Sequence, residues 1–211
     1  SQIKAVERVA VLPREPVRAD QSGSHPHQAI RWPGTDLFIV PNKGLDRVHV
    51  VKLASTGELS LAGEAVAAPG AGPRHAALAP DKGLLWVCNE LDSTVATYRF
   101  DPLTALLTML GTAPLLPHGE VGASTGAGIV SRGDTLFVSN RGHDSIVTMK
   151  MDATMLIAPV RTNSSNPPMD WQTSGDTCKD EYRDTVTQTA LGNLLAEPHQ
   201  EHRSSQERRH G

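Results

Sequence analysis

The hydrophobic and polar positions of this chain form a pattern that occurs three times. In each copy a short apolar run ends at an asparagine, a polar turn follows, and a β-branched residue comes six positions after the asparagine. The three asparagines are Asn42, Asn89 and Asn140, spaced 47 and 51 residues apart. A period of about 40–50 residues with several short strands per unit is typical of β-propeller blades. The pattern therefore predicts that equivalent positions of neighbouring blades meet around a central channel.

Each copy predicts two antiparallel strands around a turn, followed by a weaker outer strand. In the second copy these two strands are Leu84–Cys88 and Thr94–Phe100, and the second is favoured by its β-branched and aromatic residues. The other predicted strands are Leu37–Val40, Val48–Leu53, Thr135–Ser139 and Ile146–Met151, with outer strands at Leu59–Leu61 and Leu106–Leu110. The Gly- and Pro-rich segments Ala68–Arg74 and Pro114–Gly128 are predicted to connect the blades. The fold class is therefore all-β, a partial β-propeller of about three four-stranded antiparallel blades.

The repeat is predicted to end near Asp152, which divides the chain into a propeller segment, 1–152, and a polar, largely irregular C-terminal tail, 153–211. The tail has too few apolar residues to offset the entropy of ordering, so we expect it to be disordered or weakly helical. A short helix at Asp176–Leu195 is the helical alternative. The tail histidines His199, His202 and His210 lack the tight spacing of metal ligands, and a solvated tail is the favoured interpretation.

Composition excludes several classes of function. The 211 residues carry a net charge of −3 with acids and bases mixed, so no nucleic-acid or anionic-membrane partner is expected. The apolar runs are strand-sized, far short of the roughly 20 residues that span a bilayer. Ser1–Arg18 contains charged residues where a signal peptide would be apolar. Cys88, inside an apolar strand, and Cys178 do not make a disulfide framework, so a reducing, cytoplasmic location is predicted.

Five segments carry a resemblance to a known family: Ser24–Ala29, Val40–Val48, Gly72–His75, Asn89–Val95 and Ser139–Ile146. Each is a weak turn motif alone, but their order and spacing are specific. In these segments the chain resembles the propeller lactonases of the seven-bladed 6-phosphogluconolactonase type. The resemblance implies a β-propeller enzyme that hydrolyses a sugar-acid lactone without a cofactor.

The resemblance covers roughly Gln21 to Met151, whereas the family has seven blades. The blades expected before Gln21 and after Asp152 are not recognisable in the sequence. We therefore expect an internal fragment of such an enzyme, and an inactive fragment is one open interpretation because three blades alone cannot close a ring. The sequence does not show an oligomeric state.

The resemblance also implies which residues form the site. The family uses a His, an Arg, a Glu and an Arg from successive blades, and the matching catalytic candidates are His27, Arg74, Glu90 and Arg141. The 47-residue separation of His27 and Arg74 is one repeat, and Glu90 and Arg141 each follow a repeat asparagine. Additional substrate-binding candidates are Lys43, His75, His143 and Arg47. No metal is expected, since no ligand set has suitable spacing.

The working mechanism assigns separate roles to these side chains. Arg74 and Arg141 would hold the anionic group of the substrate and polarise the ring carbonyl, because a guanidinium pairs bidentately with oxyanions. His27 or Glu90 would remove a proton from the attacking water. The alternative interpretation of each is structural: a surface ion pair for Arg74, a turn residue paired with Lys43 or Arg141 for Glu90, and a strand cap for His27.

Three functions remain open on this evidence. The first is hydrolysis of a sugar-acid lactone, with 6-phosphogluconolactone of the pentose phosphate pathway as the leading substrate. The second is a carboxymuconate-type lactonising cycloisomerase, which the same residues would serve in the reverse sense. The third is a non-catalytic propeller scaffold, since propellers host many unrelated functions.

Overall fold

A computed structural model of the chain describes residues 17–116, 124–151 and 157–164. These residues form three four-stranded antiparallel sheets, as the repeat predicts. The strands are β1 (Ile30–Arg31), β2 (Leu37–Asn42), β3 (Arg47–Leu53), β4 (Leu59–Val66), β5 (Pro73–Ala79), β6 (Leu84–Asn89), β7 (Thr94–Asp101), β8 (Leu106–Pro114), β9 (Thr125–Arg132), β10 (Thr135–Arg141), β11 (Ser145–Met151) and β12 (Ile157–Ser164). The helical elements among the described residues are three 3₁₀ turns, at Ala19–Gln21, Lys43–Leu45 and Pro80–Lys82. The partial β-propeller is confirmed.

Each sheet is an up-and-down meander in which every strand pairs with its sequence neighbour. The equivalent registers recur from sheet to sheet: Asn42 pairs with Arg47 and Asn89 with Thr94, while Pro26 bridges to Asn42 as Pro73 pairs with Asn89. The three turns that follow the repeat asparagines therefore lie at the same end of the three sheets.

The middle sheet, β5–β8, is buried on both faces. Leu85 and Val87 belong to the core shared with the first sheet, whereas Leu84, Trp86 and Cys88 belong to the core shared with the third. This explains why β6 is a continuous apolar run rather than an alternating one, because both faces of the strand are covered. Cys88 is a free cysteine and is fully buried, and this burial raises the pKa of its thiol to about 12.

The first strand of each blade is where the structure departs from the sequence prediction. The predicted connections Ala68–Arg74 and Pro114–Gly128 end inside β5 and β9, which begin at Pro73 and Thr125. Three of the seven residues of β5 and three of the eight residues of β9 are alanine or glycine, which have low β propensity. They form strands because they pack against neighbouring sheets, where small side chains allow close approach.

The third blade extends beyond the boundary predicted at residue 152. Strand β12, Ile157–Ser164, pairs antiparallel with β11 from Met151 to Ser145 and is the outer strand of the third sheet. It lies inside the segment 153–211 that the sequence analysis predicted to be a tail. This strand was not predicted because its apolar run is short and contains Pro159. An edge strand tolerates both features. The predicted helix Asp176–Leu195 and the tail histidines lie outside the described residues.

Within the part of the chain that the structure describes, no helix is both long and apolar enough to cross a membrane.

The interface between the second and third sheets yields a stability prediction at Gly126. A Cβ built on this residue would lie 2.7 Å from Cys88 Sγ and 2.8 Å from the Asn89 carbonyl oxygen. Backbone must move to relieve the second contact, so we expect Gly126→Ala to lower the free energy of unfolding by about 1–3 kcal/mol. Gly23→Ala is the matched control, because a Cβ there has no atom within 4 Å. Urea unfolding followed by circular dichroism measures both, and equal midpoints would contradict the packing argument.

Candidate active site

A β-bulge aims Arg74 into the end of the molecule where the repeat turns lie. Pro73 pairs with Asn89 and His75 with Cys88, so Arg74 is the extra residue between them. Bulges often redirect a side chain next to a functional site. The Arg74 side chain is 2% exposed, so an arginine that would normally lie at the surface is buried here.

Glu90 is the partner that allows this arginine to be buried. Arg74 Nε donates to Glu90 Oε2 at 2.8 Å. The other carboxylate oxygen, Oε1, lies 3.2 Å from Lys43 Nζ and 3.1 Å from Arg141 Nη2. One carboxylate is therefore shared by cations from all three blades. Lys43, Glu90 and Arg141 each follow a repeat asparagine, which is the relation that brings them together.

The electrostatics of this group favour an ionised Glu90. Burial alone would raise the pKa of the carboxyl, but the charges of Arg141, Lys43 and Arg74 outweigh it and the pKa is lowered. The carboxylate is thus a weak proton acceptor that holds its cations in place. Three cationic side chains on one carboxylate leave an excess of positive charge, which suits an anionic ligand.

Two histidines complete the cluster beside Arg74. His75 follows the bulge, and Arg74 Nη1 lies 3.2 Å from its Nδ1. The rings of His27 and His75 meet edge to face, with centroids 4.9 Å apart. Desolvation, and then the charge of Arg74, lowers the pKa of His75 to about 3 and that of His27 to about 4. Both rings are neutral at pH 7, although His27 keeps an exposed side.

Six of the eight predicted site residues therefore lie in one cluster: His27, Lys43, Arg74, His75, Glu90 and Arg141. The resemblance implied these members, and pairing of Glu90 with Lys43 or Arg141 was the structural alternative considered for it, whereas the Arg74–Glu90 pair was not predicted. The other two have contacts elsewhere. Arg47 Nε lies 3.7 Å from Glu64 Oε1 on β4, and His143 Nδ1 lies 2.6 Å from Ser145 Oγ within its own turn. The catalytic and binding roles of all eight remain predictions.

Sequence reasoning missed two glutamines that support the cluster. Gln28 Oε1 accepts a hydrogen bond from the Ala76 amide at 2.7 Å, directly after His75. Gln21 is 1% exposed and binds both Lys43 and Asp46. A signal existed for Gln28, which lies one repeat before His75. Neither residue belongs to a recognisable catalytic motif.

The cluster can bind an oxyanion through its guanidinium and ammonium groups, and its neutral imidazoles can accept a proton. Among the described residues, no three His, Cys, Asp or Glu side chains are grouped so that they could hold a metal ion. Fold and cluster together define a β-propeller segment with a polar, cationic site at one end of its blades.

Comparison with known protein families shows which β-propeller family this chain belongs to. The family model described as "Lactonase, 7-bladed beta-propeller" matches residues 1–175, and the chain belongs to this family. A 6-phosphogluconolactonase of Bacillus subtilis is 30% identical over 134 residues, which is 63% of this chain and 38% of that protein. A 6-phosphogluconolactonase of Photorhabdus laumondii is 42% identical over 88 residues, which is 40% of this chain and 26% of that protein.

Solved structures give the same result. The periplasmic gluconolactonase of Pseudomonas aeruginosa aligns with a TM-score of 0.67 at 26% identity, covering 74% of this chain and 46% of that one. A protein from Lactobacillus plantarum aligns with a TM-score of 0.65 at 30% identity, covering 70% of this chain and 43% of that one. The chain thus spans less than half the length of these relatives.

The two histidines of the cluster predict how stability depends on pH. His27 and His75 have folded pKa values of about 4 and about 3, below the 6.5 of a free imidazole. The unfolded state therefore binds more protons below pH 6.5, and the free energy of unfolding should fall as pH decreases from 6.5. His75→Gln should flatten this dependence, measured by urea unfolding at pH 7, 6 and 5. His25→Gln, which replaces an exposed histidine, is the control, and parallel profiles for all three proteins would contradict the assignment.

Proposed function

We propose that this segment carries the catalytic cluster of a sugar-acid lactone hydrolase. The observation that carries the proposal is the Glu90 carboxylate shared by Arg74, Lys43 and Arg141, with a neutral histidine pair beside it. The names of the Bacillus subtilis and Pseudomonas aeruginosa relatives support lactone hydrolysis as the reaction. Because the chain covers less than half of each relative, the activity of the whole protein is part of the proposal.

The proposed substrate is 6-phosphogluconolactone. Lactone hydrolysis needs an activated water, stabilisation of the developing oxyanion and a grip on the substrate. A phosphate group would be held by the positive side chains, and the planar fork of an arginine suits its oxygens. The proposed location is the cytoplasm, although one structural relative is a periplasmic enzyme.

In the proposed mechanism Arg74 and Arg141 orient the substrate and polarise its ring carbonyl. His27 is the preferred base, because its ring is neutral at pH 7 whereas Glu90 is occupied by three cations. Arg74 contributes to the low pKa of His27, so an anion bound at Arg74 would offset that effect and strengthen the base. Water loses a proton to His27 and attacks the carbonyl carbon. The carbon–oxygen bond of the ring then breaks, and His27 returns the proton to the ring oxygen.

Replacement of Arg74 tests the clamp. We expect Arg74→Ala to lower kcat/KM for 6-phosphogluconolactone by about a hundredfold or more, since it removes a buried cation at the reacting group. The reaction is followed as proton release, corrected for spontaneous ring opening. Arg132→Ala, at the exposed residue that ends β9, should retain the activity of the parent chain.

The same assay separates the competing functions. Lactone turnover that is equal in Arg74→Ala and the parent chain would refute the clamp. A folded chain that neither hydrolyses the lactone nor binds 6-phosphogluconate would favour the scaffold. Lactone formation from a dicarboxylate, without hydrolysis of the sugar lactone, would favour the lactonising cycloisomerase.

The excess positive charge predicts selectivity for charged ligands. By isothermal titration calorimetry, 6-phosphogluconate should bind about tenfold more tightly than gluconate at low salt, because the phosphate adds charge next to the cations. The difference should shrink as salt is raised. Lys43→Met should reduce it, whereas Lys52→Met, which removes an exposed lysine paired with Asp36, should not. Equal affinities for the two acids would argue against phosphate recognition.

A further inference from the structure

Asp46 is a buried carboxylate outside the cluster whose bonds extend across two blades. It lies in the turn after Lys43–Leu45, is 1% exposed, and adopts a left-handed backbone with φ of 50°. Its Oδ2 accepts from the Gly70 amide at 2.7 Å, and its Oδ1 accepts from the Gly72 amide at 2.9 Å. Here the carboxylate holds the segment that enters the next blade.

That segment leads directly into the cluster. The Gly72 carbonyl accepts from the Glu90 amide at 2.8 Å, and the Ala71 carbonyl accepts from the Leu91 amide at 2.9 Å. Arg74 follows two residues after Gly72. The Asp46 carboxylate is therefore one hydrogen-bonded residue away from the backbone of Glu90, and it fixes the approach to the bulge that carries Arg74.

Gln21 connects the same carboxylate to Lys43. Its Nε2 donates to Asp46 Oδ1 at 2.7 Å and to the Lys43 carbonyl oxygen at 3.0 Å. The side chains of Lys43 and Glu90 pair across the first and second blades at 3.2 Å. A pair of buried polar residues thus holds the backbone on both sides of that contact.

We propose that Asp46 and Gln21 are positioning residues that set the spacing between Lys43 and the Arg74–Glu90 pair. They touch no proposed substrate atom and act through the backbone of residues 43, 72 and 90. As a role in catalysis, this inference rests on the proposed function. As a role in forming the cluster, it stands on the hydrogen bonds alone.

The equivalent position of the second blade shows what is particular about Asp46. Ser93 has the same left-handed backbone, with φ of 52°, and the same place in the repeat. Both residues accept a main-chain hydrogen bond from the residue after the outer strand, Ala67 to Asp46 and Leu115 to Ser93, each at 2.9 Å. The Ser93 hydroxyl makes one further bond, to the Ser124 carbonyl at 2.7 Å. The Asp46 carboxyl group instead accepts from Gln21 Nε2 and from the amides of Gly70 and Gly72, so it holds two separate segments where the Ser93 hydroxyl holds one.

The first test replaces Asp46 by asparagine, which tolerates the left-handed backbone but lacks the second carboxylate oxygen. The readout is the titration of His75, followed by ¹H–¹⁵N NMR in the whole chain between pH 7.5 and 4.5. His75 should stay neutral over this range in the parent chain, since its pKa is about 3. In Asp46→Asn we expect the midpoint to rise by about two pH units, to about 5 and so inside this range, because a looser entry segment admits water to the ring.

Asp134→Asn is the matched control. It also removes a carboxylate that links two blades, through Lys82, but at the opposite end of the sheets. It should leave the His75 titration unchanged. An unchanged titration in folded Asp46→Asn would overturn the proposal, since an effect on stability alone does not move the pKa within the native state.

A second variant keeps the test decisive if Asp46→Asn does not fold. Gln21→Leu removes the donor to Asp46 and Lys43 while leaving the two glycine bonds. The Glu90 amide, bound to Gly72, should then exchange its hydrogen about tenfold faster than in Asp134→Asn. Equal exchange rates would overturn the positioning role. Lactone turnover is measured separately, so a His75 shift in a chain without turnover would retain the positioning role and refute the proposed function.

Discussion

The Glu90 carboxylate is the constraint on which the described structure depends. It is buried, and a buried charge is tolerated only when it is paired and hydrogen-bonded. Its partners come from three different sheets: Lys43 from the first, Arg74 from its own and Arg141 from the third. Each partner is itself a cation that burial would penalise without Glu90. The relative placement of the three blades and the ionisation of the cluster therefore depend on each other. A shift of either outer blade would leave buried charge uncompensated.

Two kinds of contact determine how the three blades are placed. Between the sheets, apolar cores built on the two faces of β6 bring the blades together without fixing their alignment closely, since the hydrophobic effect is non-directional. At the end that carries the cluster, directional hydrogen bonds set the alignment through Asp46, Gln21 and the Gly72 carbonyl. The polar bonds add specificity where a displacement of one ångström would separate Lys43 from Glu90.

The sequence predicted the parts of this arrangement that have a periodic signal. Strands such as Leu84–Cys88 were predictable because a buried central strand is a continuous apolar run. The site residues were implied by the resemblance to the propeller lactonases, and the repeat added the equivalence of their positions on successive blades. Strands β5 and β9 were not, since their alanines and glycines are strand residues only in the packed molecule. The pairing of Arg74 with Glu90 depends on a bulge, and Gln21 on a tertiary contact 25 residues away, to Asp46. No local pattern encodes either.

The left-handed turn position shared by Asp46 and Ser93 has a consequence for how such a chain could grow by duplication. In both blades the main-chain carbonyl at this position receives the segment leaving the outer strand, whatever the side chain is. A copied blade therefore brings its own attachment to the next blade, without needing compensating changes elsewhere. The side chain is then free to diverge, becoming a hydroxyl in one copy and a carboxylate in another. The backbone at this position carries the connection that both blades share, and the side chain carries the difference between them.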